Sequence, residues 1–266
     1  MITTGNDDTG QLMATRIGEF ITNTALHAPR SLQRRIGPSE VGADCDRRLA
    51  YKLSDWPEVA ADGDPIASVL GTAFHAWMEE AFTEREKASP GRYKIEERVT
   101  VRPGVTDAAA LTGSSDLYDR ASGTVWDWKL VGVSSLDKYR RSGPSDQYRI
   151  QAHLYGLGQE NAGETPKRVA ICFVGRHHEL RVHVWTEPYN RQVALDALAR
   201  LDAIRDQLLN RDPESHPERW SEFAIPSKPN CRFCPWLKPG STDLSTGCPG
   251  AQSTSGPPAS VQALIA

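Results

Sequence analysis

The chain has 266 residues, of which 39% are apolar and 24% charged, and its formal net charge is −3. That length can bury a substantial core, and the composition is ordinary for a soluble domain. No apolar run approaches the roughly 18 residues that span a bilayer, and the negative balance argues against coating nucleic acid by charge alone.

The first residues, MITTGNDDTG, lack the basic start and apolar stretch of a secretory signal. Cytoplasmic residence is the expectation, with no membrane partner. Residues 1–8 read as disordered and residues 11–26 as a helix. Pro38-Ser39 opens a second helix, with Ser39 as N-cap and Leu49 and Leu53 on one face. Residues 57–65 read as a loop. From 66 to 87 the apolar positions Ile66, Val69, Leu70, Phe74, Trp77, Met78 and Phe82 recur at helical spacing. Three strands follow, at Tyr93–Val101, Ala110–Tyr118 and Thr124–Val131. Residues 145–158 read as a helix, Val169–Val174 and Leu180–Trp185 as a hairpin, and 188–210 as a long amphipathic helix. After Pro213 the chain is rich in proline, glycine and cysteine, and GAQSTSGPPAS reads as a flexible tail. The fold class implied is α/β, with a central mixed β-sheet flanked by helices. The expected division is a helical segment 1–35, a core 36–225, a cysteine-bearing segment 226–250 that uses Cys45 as well, and a tail 251–266.

The segment LTGSSDLYDRASGTVWDWKLVG, residues 111–132, carries the clearest chemistry. A turn on Ala121 and Ser122 places Asp116 opposite Asp127, and opposed side chains lie about 5 Å apart. Strand alternation puts Asp127 and Lys129 on one face, with Trp126 and Trp128 packed on a helix at the other. Two opposed carboxylates repel unless a cation lies between them, and an all-oxygen site suits Mg²⁺ or Mn²⁺. The basic pairs Arg34-Arg35 and Arg47-Arg48 read as solvated surface. The stretch Lys138, Arg140, Arg141 and Arg149 is the better candidate for contact with nucleic acid, because it follows the acidic strands.

A G-x-x-D strand, a turn, and D-x-K on the next strand resemble the signature of the PD-(D/E)XK nucleases. Gly113, Asp116, Asp127 and Lys129 hold those positions. The RecB-like branch adds a histidine on a preceding helix and Q-x-x-x-Y on a following one, matched here by His75 and by Gln151 with Tyr155. Ser115 stands where the family name has proline. The resemblance implies a restriction-endonuclease-like core in which His75, Asp116, Asp127 and the carbonyl of Trp128 bind Mg²⁺ or Mn²⁺. It further implies that Lys129 orients the attacking water, and that Gln151 and Tyr155 position the DNA strand. The activity implied is exonucleolytic cleavage of DNA, at single-stranded ends. Recombination or CRISPR-adaptation proteins are the implied partners, and a phage-type or CRISPR-type accessory nuclease fits.

Of the five cysteines, Cys172 lies in the apolar strand VAICFV and reads as an inert buried thiol. Cys45, Cys231, Cys234 and Cys248 lie in polar or irregular segments. A cytosolic setting disfavours disulfides. A four-cysteine zinc site usually comes as two close pairs, whereas a [4Fe–4S] cluster tolerates dispersed thiolates. The arrangement resembles the iron-staple nucleases of the RecB-like branch, with one cysteine before the core and three after it, which implies a structural [4Fe–4S] cluster. A silent DNA-binding scaffold of the same fold and a zinc-binding interaction module are the competing readings.

Overall fold

The protein is described by a computed structural model covering residues 8–28, 35–59, 65–106, 109–231 and 234–250. The elements in chain order are α1 (Asp8–Leu26), α2 (Pro38–Val41), α3 (Asp46–Leu53), α4 (Ile66–Ala88), β1 (Tyr93–Arg102), β2 (Leu111–Asp119) and β3 (Thr124–Val131). They continue with α5 (Val133–Ser142), α6 (Asp146–Asn161), β4 (Arg168–Gly175), β5 (Val182–Pro188), α7 (Arg191–Arg211) and a 3-10 turn, Pro217–Glu222. The expectations for residues 1–7, for most of the 57–65 loop, for Arg34 and for the tail after Gly250 lie outside the described residues. No helix among those described is long and apolar enough to cross a membrane. The chain divides into two compact units, Met1–Ala43 with Asp62–Ala203 and Asp44–Ala61 with Ile204–Ala266.

The first unit holds one five-stranded sheet in the order β1-β2-β3-β4-β5. β1, β2 and β3 form an antiparallel meander, β3 and β4 run parallel, and β5 closes antiparallel on β4. The parallel step needs a crossover, which α5 and α6 supply. The mixed α/β class expected from the sequence is therefore what forms. α5 is an addition to the expected elements: Leu136 is its sole buried residue, so its amphipathic period is too short to stand out. α6 carries nine buried residues in succession, Gln151 to Gln159.

The two faces of the sheet bury different side chains. On one, Val125, Ile171 and Phe173 pack with Ala152 and Tyr155 of α6 and Leu136 of α5. On the other, Trp128, Leu117 and Cys172 pack with Phe74, Met78 and Phe82 of α4. Trp128 stacks on Phe82 with ring centroids 5.6 Å apart and on Trp126 at 5.7 Å, as the alternation along β3 requires. Cys172 is buried as expected, and burial pushes its thiol up to about 11.

β1 and β2 both turn over at one position. Tyr93 and Ile95 face α4, whereas Val99, of the same parity, packs with the α6 face. On β2, Leu117 faces α4, yet a Cβ on Gly113 would lie 3.1 Å from the Tyr155 ring of α6 and 2.9 Å from Pro38. The register is the same on both sides of the change, with Ile95 opposite Leu117 and Glu97 opposite Ser115. Between them Glu96 takes φ +45°, in the left-handed region. A non-glycine residue there is uncommon and costs backbone energy.

The helix expected from Pro38-Ser39 to Leu53 is corrected. It is two helices: α2, which belongs to the first unit and is capped by Gly37, and α3, which belongs to the second and is capped by Cys45, whose sulfur accepts the Arg48 N–H. Arg47 is also corrected from solvated surface to a buried residue. Its guanidinium donates to the carbonyls of Trp220, Ser221 and Phe223 at 3.0, 3.3 and 3.4 Å. The Tyr51 ring meets those of Trp220 and Trp236, and Trp56 meets Trp220.

Candidate metal centre and cysteine cluster

The acidic site forms where β2 and β3 part. Their ladder pairs Asp119 with Thr124, Tyr118 with Val125 and Leu117 with Trp126. This is the register the sequence implies, and one further step would set Asp116 against Asp127. Gly123 lets the turn close: at φ +66° its N–H reaches the Asp119 carbonyl at 2.8 Å. Beyond Leu117 the Asp116 carboxylate takes over, its Oδ2 accepting the Trp128 N–H at 2.7 Å.

Both carboxylates are buried, Asp116 at 7% exposure and Asp127 at 2%. Each has one oxygen fixed by a neutral donor, Asp116 by the Trp128 N–H and Asp127 Oδ1 by the Gln151 amide at 2.9 Å. The other oxygens face cationic groups. Asp116 Oδ1 lies 3.5 Å from His75 Nδ1, and Asp127 Oδ2 lies 2.6 Å from the Lys129 ammonium. Asp127 Oδ2 accepts no well-directed hydrogen bond, so its lone pairs are aimed at charge alone. His75 comes from α4, and its Nε2–H donates to the Trp128 carbonyl at 3.1 Å. His75, Asp116 and the Trp128 carbonyl thus come together, and Asp127 acts on His75 and Asp116 through its charge, held by Gln151 and Lys129.

Electrostatics follow from the burial. Desolvation, then the charge of Asp127, pushes the Asp116 carboxyl up to about 7. Burial alone favours neutral His75, but Glu96 and Asp116 outweigh it and raise the imidazole. Asp116 therefore titrates near neutral pH, where a divalent cation would displace its proton. The donor set, carboxylate oxygens with one imidazole and one backbone carbonyl, suits Mg²⁺ or Mn²⁺.

Glu96 is a site residue that the sequence reading missed. Its Oε1 lies 3.6 Å from His75 Nδ1, and ligand atoms of His75, Glu96 and Asp116 lie within 4.8 Å of one another. In KIEERV it is one acid of a solvated-looking pair, and its left-handed backbone leaves no mark on the pattern. Gln151 serves Asp127 directly. Tyr155 is buried among the α6-facing core residues beside Gly113. Lys138, Arg140 and Arg141 are exposed on α5, whereas Arg149 is tied to Glu187 at 2.6 Å.

The second unit brings Cys45, Cys231, Cys234 and Cys248 around one cavity, with Arg47 and Arg48 on its wall. Arg47 Nη1 lies 3.6 Å from Cys248 Sγ. Burial pushes Cys45 up to about 11, and the neighbouring Cys234 and Cys248 add to the rise. Cys234 is raised by burial first and by Cys231 and Cys248 as well.

No family model and no curated protein matches the chain. Similar solved structures include the protein SSO0001, at 13% identity and TM-score 0.49 over 89% of this chain and 98% of that one. An alkaline exonuclease from Laribacter hongkongensis gives 12% identity and TM-score 0.44, over 71% and 94%. A phage-related exonuclease from Haemophilus somnus 129PT gives 14% identity and TM-score 0.39, over 79% and 91%. Likenesses this distant assign no residue a role.

Proposed function

We propose that the protein is a divalent-metal-dependent DNA nuclease, acting as an exonuclease at single-stranded ends. The supporting observation is buried Asp116 beside His75 and bonded to the Trp128 N–H, with buried Asp127 paired to the Lys129 ammonium on the neighbouring strand. Phosphodiester hydrolysis needs an activated water and stabilisation of a crowded anionic transition state. A bound Mg²⁺ or Mn²⁺ supplies Lewis acidity toward the phosphate and lowers the proton affinity of water.

The side chains divide the remaining work. Asp116 and Asp127 would hold the ion, with His75 and the Trp128 carbonyl completing the set. Trp128 N–H and Gln151 fix the two carboxylate planes. Lys129 orients the attacking water and answers charge developing on the phosphate. Gln151 acts on DNA through Asp127 in this reading, and Tyr155 supports Gly113 and α6 from within the core. Lys138, Arg140 and Arg141 are the exposed cations offered to the strand. Digestion of end-labelled DNA by wild type and Asp127→Ala, with and without Mn²⁺, tests the reading. Cleavage is expected to need both the ion and the aspartate, with a loss of about 10³-fold or more in the variant.

The same proposal assigns Cys45, Cys231, Cys234 and Cys248 to a structural [4Fe–4S] cluster. A single tetrahedral zinc draws its thiolates to about 3.8 Å from one another. The four cysteines line one cavity, and a cluster accepts thiolates drawn from dispersed segments more readily than a single zinc does. Iron analysis and visible absorption of the purified protein test this, since zinc sites are colourless.

A further inference from the structure

Lys129 makes an ion pair and a ring contact. Its ammonium lies 2.6 Å from Asp127 Oδ2 and 5.0 Å from the centroid of the Tyr148 ring. The first partnership is conditional. A divalent cation on Asp127 takes up the carboxylate's charge and repels the ammonium. The lysine side chain is 15% exposed, so water does little to replace the lost counter-charge. The ring face keeps its attraction, because an aromatic quadrupole attracts a cation whatever the state of Asp127.

The ring is itself held. Tyr148 lies in the first turn of α6, where its N–H donates to the capping Ser145 Oγ at 3.3 Å. Phe173 is the register partner of Lys129 on β4, and its ring is 6.3 Å from that of Tyr148. Tyr139 of α5 stacks on Phe173 at 4.4 Å and lies 6.0 Å from Tyr148. Burial raises both phenols, Tyr139 to about 12, which keeps them neutral beside the ammonium.

We propose that Tyr148 is a positioning residue that keeps the Lys129 ammonium at the reaction centre once Asp127 is committed to the cation. The proposal rests on the nuclease reading above. It explains why α5, which contributes no residue to the metal centre, carries Tyr139 into that aromatic cluster.

The test uses the full chain with its metal sites loaded, steady-state cleavage of a single-stranded oligonucleotide with Mn²⁺, and thermal melts. Tyr148→Phe keeps the ring face and is expected within about two-fold of wild type. Tyr148→Leu removes it and is expected to lower kcat roughly ten-fold with KM little changed. In a Lys129→Ala background, Tyr148→Leu is expected to cost nothing further. A non-kinetic readout is the upfield ring-current shift of the Lys129 methylene protons, expected to persist when Mg²⁺ is added. Equal losses in the Phe and Leu variants, equal costs of Leu in both backgrounds, or loss of the ring-current shift on adding Mg²⁺ would each overturn the proposal. If Tyr148→Leu does not fold, Tyr148→Met gives the same comparison. A wild type inert toward every DNA overturns both readings, whereas a cleaving wild type with an indifferent Tyr148→Leu overturns this one alone.

Discussion

Asp116 accepts the backbone N–H of Trp128 through Oδ2 at 2.7 Å, so a side chain of β2 does what a strand carbonyl does in the ladder. The contact holds the end of the β2–β3 pairing and fixes the carboxylate plane at the same time. Asp116→Asn keeps an acceptor for that N–H, whereas Asp116→Ala leaves a buried donor unpaired at about 1–3 kcal/mol. Both variants are expected to lose cleavage, but only alanine to lose that much stability. Denaturant melts beside an activity assay check the split.

Stability of the metal-free protein is expected to fall as pH rises from about 4 to 8. Asp116 has a folded pKa near 7, above its unfolded value of 3.8. In that window the folded state binds more protons than the unfolded state, so ionising the group on unfolding favours unfolding. His75 acts in the same direction: its raised pKa gives stability that is complete below 6.5 and lost as pH passes through the folded value. Saturating Mn²⁺ keeps the carboxylates ionised and is expected to flatten the dependence. Melts across this range, with chelator and with Mn²⁺, measure it. A metal-free protein that gains stability toward pH 8 contradicts the assignment.

Serine in place of Cys45, Cys231, Cys234 or Cys248 is expected to abolish visible absorption and lower the melting temperature. Binding energy at a structural metal site is folding energy. Cys172→Ala is the control. It leaves a small void beside Trp128 worth about 1–2 kcal/mol and is expected to keep its full iron content. Iron lost equally in all five variants would mean that the cluster senses global stability alone.

Glu96→Gly is expected to raise stability while weakening Mn²⁺ binding. Glycine adopts φ +45° without the steric cost, a relief of about 1 kcal/mol. The same change removes the carboxylate beside His75 Nδ1. Calorimetric titration with Mn²⁺ and a denaturant melt read the two effects separately. Affinity equal to wild type would leave Glu96 a strained residue without a role at the metal.

The elements that carry strong periodicity were legible. Strands β1 to β3, helices α4 and α6, and the β2–β3 register follow from alternation, helical spacing and a glycine-closed turn. What escaped has local physical causes. α5 buries only Leu136, too little for a pattern to register. Arg47 sits in a basic pair that looks solvated, and only the folded chain shows three carbonyls around its guanidinium. The 38–53 helix stops at the Gly42 C-cap of α2 and restarts at Cys45, whose sulfur accepts the Arg48 N–H.

The sequence by itself determined which groups meet across one hairpin, because strand alternation and turn length are properties of a dozen neighbouring residues. That was enough for the register up to Leu117 and Trp126 and for Asp127 beside Lys129, whereas Asp116 turns to the Trp128 N–H. The tertiary structure alone decided what surrounds them: Glu96 entering through a left-handed backbone, Gln151 bound to Asp127, and Tyr148 over the ammonium. Those contacts join α4, α6 and the sheet across long stretches of chain, and such pairings depend on packing that no local period encodes.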